Sequence, residues 1–188
     1  LDGYPLVGAM SAIGVLLWWL AGGICLFTFA LARTLGLDRS ARLFLLTSGL
    51  LTLLLAIDDQ FLIHDELAPL YLGLRERDVM AGYVVLVGVW LLVNLSVIGR
   101  SEWLLLAASL AFFSASIASD YLLQTTMADP NAIGTGLDWG LFLEDGLKFI
   151  GIAGWVTSLV RYSYLAVVQR FHALDLAGRA TEGHPGGP

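Results

Sequence analysis

Charged residues and cysteines are both scarce in this sequence. Charged side chains make up 14% of the 188 residues, whereas soluble domains average about a quarter. Lysine and arginine number 10 against 16 acidic residues, so the chain offers no basic surface that would bind nucleic acid. The single cysteine, Cys25, lies inside an apolar block, which excludes a disulfide framework or a cysteine metal cluster within one chain.

Apolar residues, by contrast, dominate the composition. They make up 57% of the chain, and the mean hydropathy is +0.78. They fall in blocks of about 20 residues, the length that a helix needs to cross a bilayer. We therefore expect an all-α, polytopic transmembrane helix bundle over residues 1–171, and its five spans lie at about 5–31, 41–62, 79–98, 103–123 and 137–160. Residues 172–188, which end in a Gly/Pro-rich run, are expected to form a disordered cytoplasmic tail. The six tryptophans are expected mostly at the lipid surface or the membrane interface.

Basic residues are divided unevenly between the two sides of such a bundle. With five spans, the loops after spans 1 and 3 share one side with the C-terminal tail. That side carries seven arginines against two on the other side, namely Arg33, Arg39, Arg42, Arg100, Arg161, Arg170 and Arg179 against Arg75 and Arg77. Because cytoplasmic loops are enriched in lysine and arginine, this distribution predicts an N-terminus outside and a cytoplasmic C-terminus.

Ionisable side chains converge on the outer ends of three spans. They are Asp58, Asp59 and His64 at the end of span 2, Asp120 in span 4, and Glu144, Asp145 and Lys148 in span 5. On each helix the polar residues follow one stripe at about 100° per residue. Exposing a central charge to lipid costs at least about 2.5–3.5 kcal/mol, so we expect the three stripes to face one another inside the bundle.

The acidic residues of this set outnumber its cations. Glu144 and Lys148 stand four residues apart in the order that favours pairing, which leaves four carboxylates without a counter-charge. Buried carboxylates cannot all stay ionised and bare, so either some take up protons or a cation binds among them. Oxygen ligands suit Ca²⁺, Mg²⁺ or Mn²⁺, and a histidine would also admit iron or zinc. The predicted ligands of this unidentified divalent cation are Asp58, Asp59, His64, Asp120, Glu144 and Asp145.

Three runs of the sequence resemble known membrane proteins. DDQFLIHDE, SDY and LEDGLKFIGIAGW resemble a group of small bacterial multi-pass proteins without an established activity, whose pattern is DDxxxxHE, a lone Asp and an acidic pair followed by xxK. Asp65 is inserted into that pattern. The resemblance implies a bacterial inner-membrane protein. Glu144-Asp145-Gly146-Leu147-Lys148 is similar to the EExxK signature of PrsW-type intramembrane proteases, related to the CAAX-processing group, with Asp145 in place of the second Glu. That similarity implies a catalytic role for Glu144, as a base, and Lys148 is the second predicted catalytic residue.

Three classes of function remain open. The first is a membrane protein that binds a divalent cation or protons at an outward-facing site of carboxylates, histidine and lysine. The second is an accessory or structural subunit of a larger membrane protein complex, with polar pairs between helices. The third is a metal-dependent intramembrane hydrolase of lipid or peptide, in which the metal activates water and Lys148 polarises a carbonyl. Membrane lipids and other membrane subunits are the expected partners, and no haem or nucleotide site is indicated.

Overall fold

Five α-helices and one π-helical segment make up the described part of the chain. The computed structural model describes residues 5–101, 103–126 and 139–182; of these, the side chains at 5–8, 120–126, 139–144, 174, 177, 178 and 180–182 are left undescribed. The elements are α1 (Pro5–Leu31), α2 (Arg39–Phe61), the π-helical segment Ile63–Leu72, α3 (Glu76–Ile98), α4 (Trp103–Thr126) and α5 (Trp139–Glu182). The described ranges contain no strand, which confirms the all-α class.

Four of these helices are long and apolar enough to cross a membrane. They are α1 from Ala9 onward, α2, α3 and the part Asp145–Ala173 of α5. In α4 the apolar stretch Trp103–Ser119 is shorter. A multi-pass membrane protein is therefore supported, while the fifth span and the orientation of the chain stay predictions.

The last helix is longer than the sequence predicts. α5 continues through Arg161, the expected membrane exit, to Glu182. Alanine, leucine and arginine in this extension are good helix formers. Arg179 also pairs with Asp175 one turn earlier at 3.0 Å, a spacing that supports helices. Residues 172–182, which the sequence predicts to be a disordered tail, are thus helical in the structure, and residues 183–188 lie outside the described part.

A chain of aromatic rings runs through the centre of the bundle. Its ring centroids are 6.0 Å apart from Trp18 to Trp155, 5.0 Å from Trp155 to Trp90, 5.8 Å from Trp90 to Phe44 and 4.5 Å from Phe44 to Tyr162. Such ring pairs add to the energy of area burial. Because Trp18, Trp90 and Trp155 are only 3%, 5% and 1% exposed, the expectation that tryptophans face lipid is wrong for these three.

Two glycines let α1 and α2 approach each other closely. A Cβ atom added at Gly22 would lie 2.6 Å from Cδ2 of Leu53, and one added at Gly49 would lie 2.7 Å from Cδ2 of Leu26. Small residues at a crossing allow this proximity between membrane helices. At Gly23, the next residue, a Cβ would meet nothing within 4 Å.

Leucine in place of Gly22 is expected to lower the free energy of unfolding by about 1–3 kcal/mol, because the new side chain overpacks against Leu53. The measurement is denaturation in detergent micelles, followed by circular dichroism. Gly23→Leu is the matched control, since it brings the same gain in helix propensity into open space. Equal losses in the two variants would show that close packing at Gly22 does not stabilise the bundle.

Candidate functional site

The end of α2 turns sharply and brings His64 back against the helix. Leu62 has a left-handed backbone conformation with φ +50°, which is uncommon for a residue other than glycine. Its N–H donates to the carbonyl of Asp58. The π-helical segment begins at the next residue, and π-helical turns occur frequently at functional sites. The turn places His64 beside the last turn of α2.

Asp58 is buried at 5% exposure and accepts hydrogen bonds from three groups. Its Oδ1 accepts the backbone N–H of His64 at 3.1 Å and the hydroxyl of Tyr83 in α3 at 2.7 Å. Its Oδ2 lies 2.5 Å from Nδ1 of His64, so the ring nitrogen and the carboxylate are hydrogen-bonded. Protein groups therefore satisfy this carboxylate without a metal ion.

His64 lies between two carboxylates. Its Nδ1 contacts Asp58, and its Nε2 is 3.2 Å from Oδ1 of Asp65. The hydrogen bond to Asp58 is the largest influence on His64 and raises its pKa above the ordinary 6.5, as do the negative charges of Asp58 and Asp65; burial and the charge of Lys148 oppose them. The net rise in pKa favours the imidazolium form, in which both ring nitrogens carry a hydrogen.

Asp59 forms the second ion pair of the site. Nζ of Lys148 in α5 donates to its Oδ1 at 2.5 Å, and Nε1 of Trp18 in α1 donates to its Oδ2 at 3.2 Å. The Asp59 side chain is 11% exposed and that of Lys148 is 38% exposed. The indole of Trp18 stacks on Phe113 of α4 with centroids 5.8 Å apart. The Asp59–Lys148 pair and the hydrogen bond from Trp18 thus connect α1, α2 and α5, and the ring of Trp18 packs against α4.

The charge balance differs from the one predicted. Asp58 and Asp59 are expected from the sequence to lack a counter-charge, and in the structure each has a partner, in His64 when it is protonated and in Lys148. The prediction is wrong for these two residues because spacing along α5 suggests Glu144 as the partner of Lys148. The partner in the described part of the chain is Asp59 of α2, 89 residues away in sequence.

The structure brings some of the predicted site residues together and leaves others untested. Asp58, Asp59, His64 and Lys148 lie in contact as two pairs, and Asp145 is half-buried one turn before Lys148. The side chains of Asp120 and Glu144 lie outside the described residues. Among the side chains that are described, no three His, Cys, Asp or Glu residues are grouped so as to hold a metal ion. The cation site and the catalytic roles of Glu144 and Lys148 stay predictions.

Two residues of the site are absent from the sequence prediction. Tyr83 lies on α3, where no polar stripe is evident, and a tyrosine near a helix end is also typical of the membrane interface. Trp18 carries the same ambiguity. For α5 the sequence does indicate which side faces inward, because Lys148 and the buried Trp155 share one face of that helix.

Uncharged polar groups extend from the two ion pairs along the interior of the helix bundle. Nε1 of Trp155 donates to Oγ1 of Thr52 at 3.0 Å, and Nδ2 of Asn94 donates to Oγ1 of Thr47 at 3.1 Å. Thr52 and Ser48 are fully buried, which confirms that the polar stripe of α2 faces inward. The ionisable pairs lie at one end of this stripe.

The family of the chain can be stated from its sequence match. No curated protein and no solved structure matches it. Residues 2–162 match one family model, described as a domain of unknown function (DUF8692). This range extends from α1 into α5 and includes both ion pairs of the site. The chain therefore belongs to the DUF8692 family of domains of unknown function.

Proposed function

We propose that this protein is a multi-pass membrane protein that binds a proton at His64 and thereby holds the segment Ile63–Leu72 against the helix bundle. One observation carries the proposal: both ring nitrogens of His64 contact carboxylates, and Nδ1 is 2.5 Å from Asp58. On the distribution of arginines we place this site on the outer side of the membrane, and the resemblance to small bacterial multi-pass proteins implies that this is a bacterial inner membrane.

Proton binding fits this geometry because histidine titrates near neutral pH. The hydrogen bond to Asp58 and the charge attraction to Asp65 are both strongest when each ring nitrogen carries a hydrogen and the imidazole is protonated. When the imidazole loses a proton, the charge attraction to Asp58 and Asp65 is lost. A metal ion bound at either nitrogen would have to displace one of the carboxylates first.

The proton on His64 would control how firmly the π-helical segment is docked. Asp58 binds both the ring and the backbone N–H of His64, at the start of the segment. Farther along, Leu70, Tyr71 and Leu72 are all exposed, so they bury little apolar surface against the bundle. A segment with so few buried contacts opens at low free energy, and loss of the proton would favour its release.

The pH dependence has a definite sign. Because folding raises the pKa of His64, the folded protein holds this proton more tightly than the unfolded chain does. The resulting stabilisation is complete below pH 6.5 and is lost as the pH rises through the raised pKa. His64→Gln is expected to lower the free energy of unfolding by about 1.5–3 kcal/mol below pH 6.5 and to abolish this pH-dependent step. Thermal unfolding in detergent across the neutral range measures both effects.

His172→Gln is the matched control for that experiment. His172 is exposed on α5 and contacts its own helix through the carbonyl of Val168, so this variant is expected to retain the wild-type pH profile. Identical profiles for the wild-type protein and His64→Gln would refute proton binding at His64. If the protein is instead an accessory subunit, His64 need not bind a proton, and identical pH profiles are the expected result.

A titration with metal ions distinguishes proton binding at His64 from the alternative in which the site binds a divalent cation. A divalent cation bound to the folded protein stabilises it in proportion to the logarithm of its concentration. Titration with Ca²⁺, Mg²⁺, Mn²⁺ or Zn²⁺ at a fixed pH is expected to leave the unfolding midpoint unchanged if the site binds protons alone. The hydrolase alternative gains no support from Lys148, because its ammonium is bound to Asp59.

A further inference from the structure

Three arginines surround a pocket at the end of α2 that lies opposite His64. The pocket has a volume of about 440 Å³ and is lined by Phe29, Ala30, Arg33, Arg39, Arg42 and Leu43. It lies where the turn after α1 meets the first residues of α2. The two ion pairs of the site described above belong to the other end of the same helix, so this pocket is separate from them.

The charge of the pocket is strongly positive. Arg33 comes from the turn after α1, and Arg39 and Arg42 come from the first turn of α2. The acidic residue nearest in sequence is Asp38, and its carboxylate accepts the backbone N–H of Ala41 at 3.2 Å as the cap of α2. Three guanidinium groups thus lie near one carboxylate, which already accepts a hydrogen bond from the first turn of α2.

One of the lining arginines has a buried donor that lacks an acceptor. Nε of Arg42 is buried, and within the described residues it has no hydrogen-bond partner. Leaving a buried charged donor unsatisfied is costly. Guanidinium groups bind phosphate oxygens with paired, charge-assisted hydrogen bonds, so a phosphate in the pocket would offer acceptors to the arginines that line it.

The remaining lining of the pocket is apolar. Phe29, Ala30 and Leu43 form this part, and Leu43 is also exposed on the outer surface of α2. A phosphate attached to a hydrocarbon group would match both halves of the pocket. Basic pockets between membrane helices bind anionic lipid headgroups in this way.

We propose that this pocket binds a phosphate group, carried either by an anionic phospholipid of the adjacent leaflet or by a soluble phosphate ester. The test compares the wild-type protein with the triple variant Arg33→Gln, Arg39→Gln, Arg42→Gln. Native mass spectrometry in detergent, with added phosphatidylglycerol or phosphatidylcholine, measures the affinity for each lipid. The wild-type protein is expected to prefer phosphatidylglycerol, and the triple variant is expected to bind it about tenfold more weakly.

The matched control is Arg75→Gln, Arg77→Gln, Arg179→Gln, which changes the net charge equally at positions away from the pocket. It is expected to keep the wild-type preference. Arg42→Lys retains the charge, removes Nε as a donor, and serves if the triple variant fails to fold; weaker binding of phosphatidylglycerol is expected. Equal weakening of phosphatidylglycerol binding in the triple variant and the control would overturn the proposal, as would equal affinities for the two lipids together with no effect of glycerol 3-phosphate on either.

A further arm identifies the source of the phosphate. Glycerol 3-phosphate is added to the wild-type protein bound to phosphatidylglycerol. If the soluble ester displaces the lipid at a comparable concentration, the pocket recognises the phosphate alone. If the lipid stays bound, the apolar half of the pocket contributes to binding and the ligand is a phospholipid. Both results support phosphate binding, and they differ only in its source.

Discussion

Replacing Lys148 with methionine is expected to lower the free energy of unfolding by about 3 kcal/mol. The substitution keeps a side chain of similar length and removes the ammonium that lies 2.5 Å from Asp59. Asp59 is 11% exposed, so its carboxylate would be left with the N–H of Trp18 and no cation. A buried charge without its partner costs far more than the pair contributes when it is intact.

Two further variants show whether the lost stability comes from the stranded carboxylate. Adding Asp59→Leu to Lys148→Met removes both charges, and we expect it to restore most of the stability. Arg75→Met breaks the exposed pair with Asp78, in which the arginine is 65% exposed, and is expected to cost less than about 1 kcal/mol. Chemical denaturation in micelles measures all three. A double variant no more stable than Lys148→Met would contradict this explanation.

Alanine at position 155 is expected to destabilise the bundle by about 3–5 kcal/mol. Trp155 is 1% exposed and is the middle ring between Trp18 and Trp90. Truncation would open a cavity between α1, α3 and α5, and it would also remove the hydrogen bond to Thr52. Thermal and chemical unfolding of the purified variant measure the loss.

Trp103→Ala is the control for that prediction, because Trp103 is 51% exposed on α4 and its truncation leaves no internal cavity. Trp155→Phe keeps an aromatic ring and removes the N–H, so we expect a smaller loss than for alanine, with about 1 kcal/mol of it from the hydrogen bond. If Trp103→Ala and Trp155→Ala had the same effect, the central ring chain would not be the source of the stability.

The helices themselves are predictable from the sequence because long apolar runs leave the backbone few alternatives in lipid. Helical spacing also predicts which face of a helix points inward, and the burial of Ser48 and Thr52 agrees with that prediction. Spacing within one helix does not say which other helix lies opposite. The pairing of Lys148 with Asp59 instead depends on how α2 and α5 pack in three dimensions.

The contact of His64 with Asp58 is not predictable from the sequence for a different reason. The chain reverses onto α2 through Leu62, which has a left-handed backbone conformation. A leucine in the sequence does not predict that conformation, because it is uncommon for residues other than glycine. The tryptophans show a third limit, since an indole suits both a membrane interface and a core in which its N–H finds an acceptor. Trp18 and Trp155 find acceptors in Asp59 and Thr52.

Cys25 gives the molecule a built-in chemical reporter. It is the single thiol of the chain and is fully inaccessible, with its Sγ 3.9 Å from Oγ of Ser163 across the contact between α1 and α5. A maleimide or disulfide reagent can reach this sulfur only after those two helices separate. The rate of alkylation therefore follows opening of the native bundle in an intact bilayer, without any introduced label.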